Sequence, residues 1–394
     1  MELELHSELI YKNNLDVNKF ARMLNDPSQC YKFYWLEAIV NLITTTNEDL
    51  TFDQIINEMI WEAWHSVICY HLHLGPTIRG KSENFLEHAI GIIEKDPLLK
   101  QPTSKKDVME AIARNESELR SDKNSLIIYV PYRLLSSFLD EISGSDPIWD
   151  SQRRLIVYFE MLNQKTPLLY TIIDGKGLQK KVHVNEYWKQ LIFDNYSIIT
   201  SWIQLKKIRF LQDRNPGVPG IIYKLSQENA TARKLGNARE LWKSAALVGS
   251  LSVYDIYSGR KLDIHHFDLD HFIPWSYVGN DELWNLVPME KKLNSSKNNK
   301  LPNWNEYFGR MAEIQYKLYT VIFFYEEVRT RFEKCRRENL NAVWATERLY
   351  IEGNSREQFT NILEHYMKPL YDAAYLQGYA LWKVPEQVVL LEKI

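Results

Sequence analysis

The sequence predicts an α+β protein that is predominantly helical, and three observations lead to this class. Apolar residues recur at helical spacing over long stretches, as in Tyr34, Ala38, Ile39 and Leu42. Short apolar runs typical of strands are confined to the middle of the chain and to one segment after residue 250. Apolar residues make up 45% of the 394 positions, enough for a sizeable core in two or three domains.

The N-terminal part is predicted to be mainly helical. Gln54 follows Thr51 at the spacing of a capping box, so a helix is expected to begin there. The segment Leu74-Gly75-Pro76 is expected to end this helix, because Gly and Pro both interrupt helices. A further helix is expected near residues 105–120.

The middle of the chain is predicted to mix strands and helices. Residues 125–132 and 168–173 are expected to be short strands or buried segments, because both are short apolar runs. Turn residues at 174–177 follow the second run, so residues 181–184 are expected to pair with it as a hairpin. Helix is expected again over residues 185–210.

A loop rich in proline and glycine at residues 214–220 is the clearest break in the chain, and we expect a domain boundary near it. The first predicted domain, residues 1–210, is mainly helical, and recognition or partner binding is its expected role. The second, residues 211–304, contains the motifs described below. The C-terminal region, residues 305–394, is expected to be helical and to pack on the second domain.

Composition limits the classes of function. The net charge of −3 does not indicate nucleic-acid binding, so such binding would require local basic clusters. Three cysteines lie far apart, which favours a reducing, cytoplasmic location over disulfide bonds. No run of 18 apolar residues occurs, so neither a transmembrane helix nor a membrane partner is expected. The basic residues cluster in three places: Lys206, Lys207, Arg209 and Arg214; Lys291, Lys292, Lys297 and Lys300; and Arg329, Arg331, Lys334, Arg336 and Arg337.

The most informative stretch is residues 268–302. Asp270 and His271 end a strand that apolar residues flank, and a short basic helix carrying Asn294 is predicted further on. Together they provide a ligand for a hard cation, a base for water and a neutral oxygen ligand. A metal-dependent phosphodiesterase requires these three groups around one point.

The order and spacing of these residues resemble the HNH endonucleases, the ββα-metal class, over roughly residues 250–304. The resemblance is carried by Asp270-His271, Ile273-Pro274, Asn285-Leu286 and Asn294-x-x-Lys297. It implies a predominantly helical α+β protein carrying a ββα-metal nuclease module that hydrolyses DNA with Mg²⁺ or Mn²⁺. In that module, Asp270 and Asn294 would bind the metal and His271 would act as the general base. Asn285 would tie the loop to the strand and orient the histidine.

The ββα unit is expected to consist of a hairpin and a helix. Residues 251–257 and 262–270 flank a turn at residues 258–261, so the second strand of this hairpin would deliver Asp270 and His271. The helix is expected from Asn294 to about residue 299.

Several neighbouring residues are alternatives or additions to this site. Asp268 shares a strand face with Asp270 and could be a second ligand, and His266 on the same face is a reserve ligand. Asn298, one helical turn after Asn294, is a rival ligand. The basic residues expected to contact phosphate are Lys292, Lys297 and Lys300.

The sequence departs from the family at the positions where many members carry two Cys-x-x-Cys pairs that bind structural zinc. Asp255, Ser258, Glu290 and Leu293 occupy these positions, and this set is a poor tetrahedral zinc site. No structural zinc is therefore expected. The hairpin and helix are instead expected to be joined by the flanking helices and by packing of Val253, Leu262, Leu286 and Leu293.

Other functions remain open. The HNH unit could be a scaffold in a non-cleaving module that binds nucleic acid or a protein partner, or the nuclease could be directed at RNA. A double-strand break requires two sites, hence a homodimer or two visits by one site. Separately, the helical domain is an alternative binding surface for a protein partner. By analogy alone, such a protein resembles restriction or anti-phage defence effectors.

Overall fold

The computed structural model describes residues 3, 5, 7–76, 83–100, 102–139, 142–173, 175–225 and 233–385. By its internal contacts the chain divides into two compact units. Unit 1 comprises Met1–Pro216 with Leu225–Gln227, and unit 2 comprises Gly217–Lys224 with Glu228–Ile394. Helices dominate and the two sheets are small, which confirms the predicted α+β class. Over the described ranges no helix is both long enough and apolar enough to cross a bilayer.

Unit 1 is a helical assembly with one small sheet. Its elements are α1 Glu8–Lys12, α2 Val17–Arg22, α3 Tyr31–Leu42, β1 Leu50–Thr51, α4 Phe52–Ile68, α5 Phe85–Glu94, α6 Lys105–Arg114, α7 Glu116–Arg133, α8 Gln152–Asn163, β2 Tyr170–Ile173, β3 Lys181–Val184, α9 Glu186–Asp194 and α10 Tyr196–Arg214.

The centre of unit 1 is helix α3, which is buried over almost its whole length and packs on α4, α7 and α10. Helix α4 begins with the predicted capping box: the Thr51 side chain accepts from the Gln54 N–H, and the Gln54 side chain accepts from the Thr51 N–H. This reciprocal pair satisfies backbone donors that the first helical turn leaves open.

The sheet of unit 1 has the order β1-β3-β2, and all pairs are antiparallel. Strand β2 pairs with β3 from Tyr170 opposite Val184 to Ile173 opposite Lys181, which confirms the predicted hairpin. Position 174 of its turn lies outside the described residues.

Of the two alternatives for residues 125–132, the strand is wrong, because these residues belong to helix α7, whereas burial is confirmed for most of them. A short apolar run has the same local appearance in a strand and in a buried helix, so its environment decides. Here Leu119, Leu126 and Val130 continue one buried helical face toward the core of unit 1.

Unit 2 combines a two-stranded sheet with six helices among its described residues. They are α11 Gly236–Leu247, β4 Asp268–His271, α12 Trp275–Val278, β5 Leu286–Met289, α13 Lys291–Lys297, α14 Trp304–Phe324, α15 Glu326–Asn339 and α16 Arg356–Leu376.

Strand β4 is antiparallel to β5, with Asp270 opposite Val287 and His271 opposite Leu286. This corrects the predicted hairpin, because residues 251–257 form only one isolated bridge, between Tyr254 and Lys261. The cause is a turn at Asp263, whose carboxylate accepts from the His265 N–H and interrupts the extended chain. The ββα unit therefore consists of β4, β5 and α13.

A segment near residue 380 is joined to the end of this unit. The Leu301 N–H donates to the Ala380 carbonyl at 2.9 Å, and the Trp382 N–H donates to the Leu301 carbonyl at 2.7 Å. The Trp382 indole N–H reaches the Ser296 hydroxyl at 3.3 Å, and its ring packs edge-on against Tyr257 at 5.1 Å. The chain after α16 thus covers the last turn of α13.

Candidate functional site

The β4–β5–α13 unit brings three of the predicted side chains to one place. Asp270, His271 and Asn294 all line a polar cleft of about 200 Å³ in unit 2. The cleft is open to solvent and is large enough to admit several waters or a phosphate group.

Asp270 is almost fully buried, and both of its oxygens accept hydrogen bonds. The Tyr257 hydroxyl donates to Oδ2 at 2.9 Å, and the Lys297 ammonium donates to Oδ1 at 2.9 Å. Burial and the charge of Asp270 raise the pKa of Tyr257 well above its ordinary value, so the phenol remains a donor. A carboxylate oxygen can accept two bonds, so each oxygen of Asp270 keeps one lone pair.

Lys297 differs from the prediction that it contacts phosphate. Its side chain is fully buried, and its ammonium also donates to the His271 carbonyl at 2.7 Å. Burial lowers the pKa of Lys297, and the ion pair with Asp270 opposes this change. The Asn-x-x-Lys spacing placed this lysine correctly on α13, but it did not reveal that the side chain points into the domain.

His271 forms a hydrogen bond with a residue that the sequence reasoning missed. Its Nε2 lies 2.9 Å from Oδ1 of Asp281, and both side chains are at least nine-tenths buried. An ionised carboxylate only accepts, so Nε2 carries the proton and Nδ1 keeps its lone pair. Burial lowers the pKa of His271 while Asp281 opposes the shift, so the ring is neutral near pH 7.

Asp281 is also held by one bond to its side chain and one to its backbone. Its Oδ2 accepts from the Lys234 N–H at 2.6 Å, and its carbonyl accepts from the buried Asn339 amide at 2.8 Å. Burial would raise the pKa of Asp281, but the bonds from His271 and Lys234 outweigh it, and the pKa is lowered overall. The only sequence signal was an acidic residue in the polar turn before Asn285.

Asn285 closes the loop that follows His271. Its side chain accepts from the Ile273 N–H and donates to the Ile273 carbonyl, both at 2.8 Å, and its own carbonyl accepts from Phe272 at 2.9 Å. These bonds fix the two residues after the histidine.

Asn294 lies in the middle of α13, whereas the sequence predicted it at the start of the helix. Its Nδ2 donates to Oδ2 of Asp268 at 3.3 Å. Because the amide nitrogen is used in this way, Oδ1 of Asn294 is left as an acceptor. Asp268 also lies 4.0 Å from the Arg239 guanidinium, so its carboxylate is engaged on two sides.

The remaining predicted residues lie in different environments. His266 is exposed, binds Asp263 through Nδ1 at 2.9 Å, and is not among the residues that line the cleft. Asn298 lines the cleft just after α13, with a left-handed φ of 47°. Lys292 and Lys300 are both exposed.

A direct polar link joins the turn at residues 255–260 to α13, in addition to the predicted packing. Asp255 is fully buried, and its Oδ1 accepts from the N–H groups of Tyr257 and Ser258 at 2.8 and 3.0 Å. Its Oδ2 accepts from the Glu290 N–H at 2.7 Å, at the start of α13. Burial raises the pKa of Asp255, and these three bonds oppose the shift. The Asp255 carboxylate thus connects positions 255, 258 and 290, three of the positions at which many HNH proteins carry zinc ligands.

The donor set of the cleft fits a hard divalent cation. Asp270 retains lone pairs, and Asn294 offers a neutral oxygen, which are ligand types that Mg²⁺ and Mn²⁺ accept together with water. Among the described residues, no three His, Cys, Asp or Glu side chains form a metal-binding group. A cation here would therefore rely on one carboxylate, one carboxamide and water.

A two-stranded sheet followed by a short helix, with Asp-His on the strand and Asn on the helix, is the arrangement expected from the HNH resemblance. In agreement, residues 255–303 match the HNH_4 family model, described as HNH endonuclease, which confirms the predicted resemblance. Neither the curated proteins nor the solved structures give a match. The match identifies a module of nuclease type that binds nucleic acid, and it covers every site residue described above except Lys234, Arg239 and Asn339.

Proposed function

We propose that this protein is a metal-dependent endonuclease that hydrolyses phosphodiester bonds in DNA. The observation that carries the proposal is the state of His271. Its Nε2 is bound by Asp281, and its Nδ1 forms no hydrogen bond within the described part of the chain. A neutral imidazole with one free nitrogen, beside Asp270 and Asn294 in a polar cleft, is suited to accept a proton from water.

In the proposed reaction, Nδ1 of His271 takes a proton from the water whose oxygen attacks phosphorus. The P–O3′ bond breaks, and the departing oxygen acquires a proton from solvent. Asp281 stabilises the imidazolium that forms, and Asn285 keeps the loop after His271 in place.

Asp270 and Asn294 would hold the metal, with Mg²⁺ or Mn²⁺ as the expected ion. When bound, it supplies positive charge to the phosphate and to the leaving oxygen. Lys297 and Tyr257 orient the Asp270 carboxylate. Lys292 and Lys300, which are exposed, are proposed to contact neighbouring phosphates.

The test is nicking of supercoiled plasmid DNA in Mg²⁺, Mn²⁺, Zn²⁺ or EDTA, with an RNA of matched length offered in parallel. His271→Ala should lower the rate by roughly 10²- to 10⁴-fold, the usual contribution of a general base. His266→Ala is the matched control, because this exposed histidine on the same segment should leave the rate unchanged.

Two outcomes would replace the proposal. If the wild-type protein binds nucleic acid but never cleaves it, the HNH unit is a scaffold. The ion pair between Lys297 and Asp270 would agree with that outcome, because Lys297 then supplies the positive charge beside Asp270. If only RNA is cleaved, the substrate class changes while the roles of His271 and Asp270 stand.

We further propose a cytoplasmic role in restriction or anti-phage defence, a proposal that rests on analogy alone. Cells expressing the wild-type protein should resist phage in plating assays, and cells expressing His271→Ala should not. One site nicks one strand, so a double-strand break would require a homodimer or two visits by one site, and light scattering with and without DNA would reveal a dimer. Equal plating by both proteins would remove the defence role.

A further inference from the structure

The candidate site requires a cation for the phosphodiester, and the lysine that the motif supplies is turned away from the cleft. The Lys297 ammonium is buried against Asp270 and the His271 carbonyl. Among the described residues that line the cleft, Arg233 alone carries a permanent positive charge. It lies before the segment that matches the HNH family, so the motif spacing gave no reason to consider it.

Arg233 is held at the cleft by contacts on both sides. Its guanidinium carbon lies 5.6 Å from the centre of the Trp275 ring, which also lines the cleft. The next residue is fixed at both peptide groups: the Lys234 N–H donates to Asp281 at 2.6 Å, and the Lys234 carbonyl accepts from Asn339 at 2.7 Å.

These anchors are the same residues that fix the histidine. Asp281 binds Lys234 through one oxygen and His271 through the other. Asn339 donates both to the Lys234 carbonyl and to the Asp281 carbonyl. The position of Arg233 is therefore coupled to that of His271, and prior positioning of this kind lowers the entropic cost of ordering a substrate.

The guanidinium of Arg233 is also available to bind a phosphate. Arg233 forms no ion pair with a carboxylate in the described part of the chain. The charge of Arg233 contributes to the lowered pKa of Asp281, but the Asp281 oxygens are bound by His271 and Lys234, and Asp270 is bound by Lys297. An exposed guanidinium presents a planar fork of donors that matches two oxygens of a phosphate.

We propose that Arg233 binds non-bridging oxygens of the phosphodiester on which His271 acts. This inference rests on the proposed nuclease function and deepens it by assigning the phosphate contact to a residue outside the HNH motif. Asp281 then serves as the shared anchor of the phosphate-binding arginine and of the general base.

The experiment separates binding from cleavage. Anisotropy of a fluorescein-labelled duplex oligonucleotide in EDTA, at several KCl concentrations, gives the Kd and its salt dependence. Arg233→Met should weaken binding about tenfold, and the slope of log Kd against log salt should fall by about 0.9, as expected for one lost phosphate contact. Arg233→Lys should restore most of the slope, because it restores the charge, but only part of the affinity, because it lacks the fork.

Arg348→Met removes an exposed arginine that belongs to none of the three basic clusters and does not line the cleft, and it should change neither quantity. In plasmid nicking with Mg²⁺, Arg233→Met should raise KM more than it lowers kcat. If Arg233→Met binds with the wild-type Kd and slope while the wild type nicks DNA, the Arg233 assignment fails and the proposed function survives. If the wild type neither binds nor cleaves nucleic acid, both fail together.

Discussion

Replacing Asp281 with asparagine tests the general-base assignment most directly, because the side chain keeps its size and loses its charge. The buried His271–Asp281 contact is 2.9 Å long. A hydrogen bond to a charged group contributes about 1.5–3 kcal/mol, which corresponds to a loss of about 10- to 150-fold if it acts in the transition state. Asp281→Asn should therefore lower kcat by this range.

The pH dependence has a defined sign. The Asp281 carboxylate favours the imidazolium and so opposes the lowering of the pKa of His271 by burial. Removing that charge lowers the pKa of His271 further, so the acid limb of the kcat profile should move to lower pH in Asp281→Asn. In Asp281→Asn, His271 would therefore stay neutral at a lower pH than in the wild type, although kcat would be lower.

The assay is the rate of plasmid nicking at saturating DNA and Mg²⁺ across the acidic and neutral range. Asp49→Asn is the matched control, because Asp49 forms the same type of bond with the half-exposed His183, at 2.7 Å in unit 1. Its rate and profile should equal those of the wild type. An Asp281→Asn protein with unchanged kcat and an unmoved acid limb would refute the role of this contact.

Three further outcomes are expected. Lys297→Met leaves Asp270 buried without its cation and should lower the free energy of unfolding by about 3–5 kcal/mol in urea titrations, whereas the exposed Lys300→Met should change it by less than about 0.5 kcal/mol. Asp255→Ala deprives three N–H groups of their acceptor and should cost on the order of 3 kcal/mol in the same measurement; a stability equal to the wild type would show that packing alone joins the turn to α13. Asn294→Ala should raise the Mg²⁺ concentration for half-maximal nicking by at least roughly tenfold, and an unchanged requirement would exclude Asn294 as a ligand.

The spacing of residues within one short segment was sufficient to predict which secondary-structure elements carry the candidate site residues. Asp270 and His271 on a strand, Asn285 at the loop and Asn294 on a helix are separated by fixed numbers of residues, and the fold preserves that order. The capping box at Thr51 was predictable for the same reason, because its two partners are three residues apart.

Contacts between distant parts of the sequence were not predictable. Nothing local indicates that β4 pairs with β5 rather than with residues 251–257, because both segments are apolar enough to be strands. The turn at Asp263 decides the outcome by a side-chain hydrogen bond. Likewise, the role of Asp281 depends on Asn339, which is more than fifty residues away along the chain.

The burial of Lys297 shows a second limit. Lysine is almost always exposed, so a basic cluster is reasonably assigned to the surface. The exception arises because Asp270 is buried in the same place and each charge lowers the cost of burying the other. That pairing joins residues 27 positions apart and has no signature in the composition of either segment.

The contacts of the chain beyond α16 with the β4–β5–α13 unit limit how short a fragment carrying that unit can be. The Leu301 backbone bonds to Ala380 and Trp382, the Trp382 ring packs against Tyr257, and the Tyr257 phenol donates to Asp270. A fragment limited to residues 255–303 would lack this outer layer and would admit water behind the Asp270 carboxylate. A unit transplanted into another protein should therefore extend to Trp382, so that this side of the candidate site stays covered.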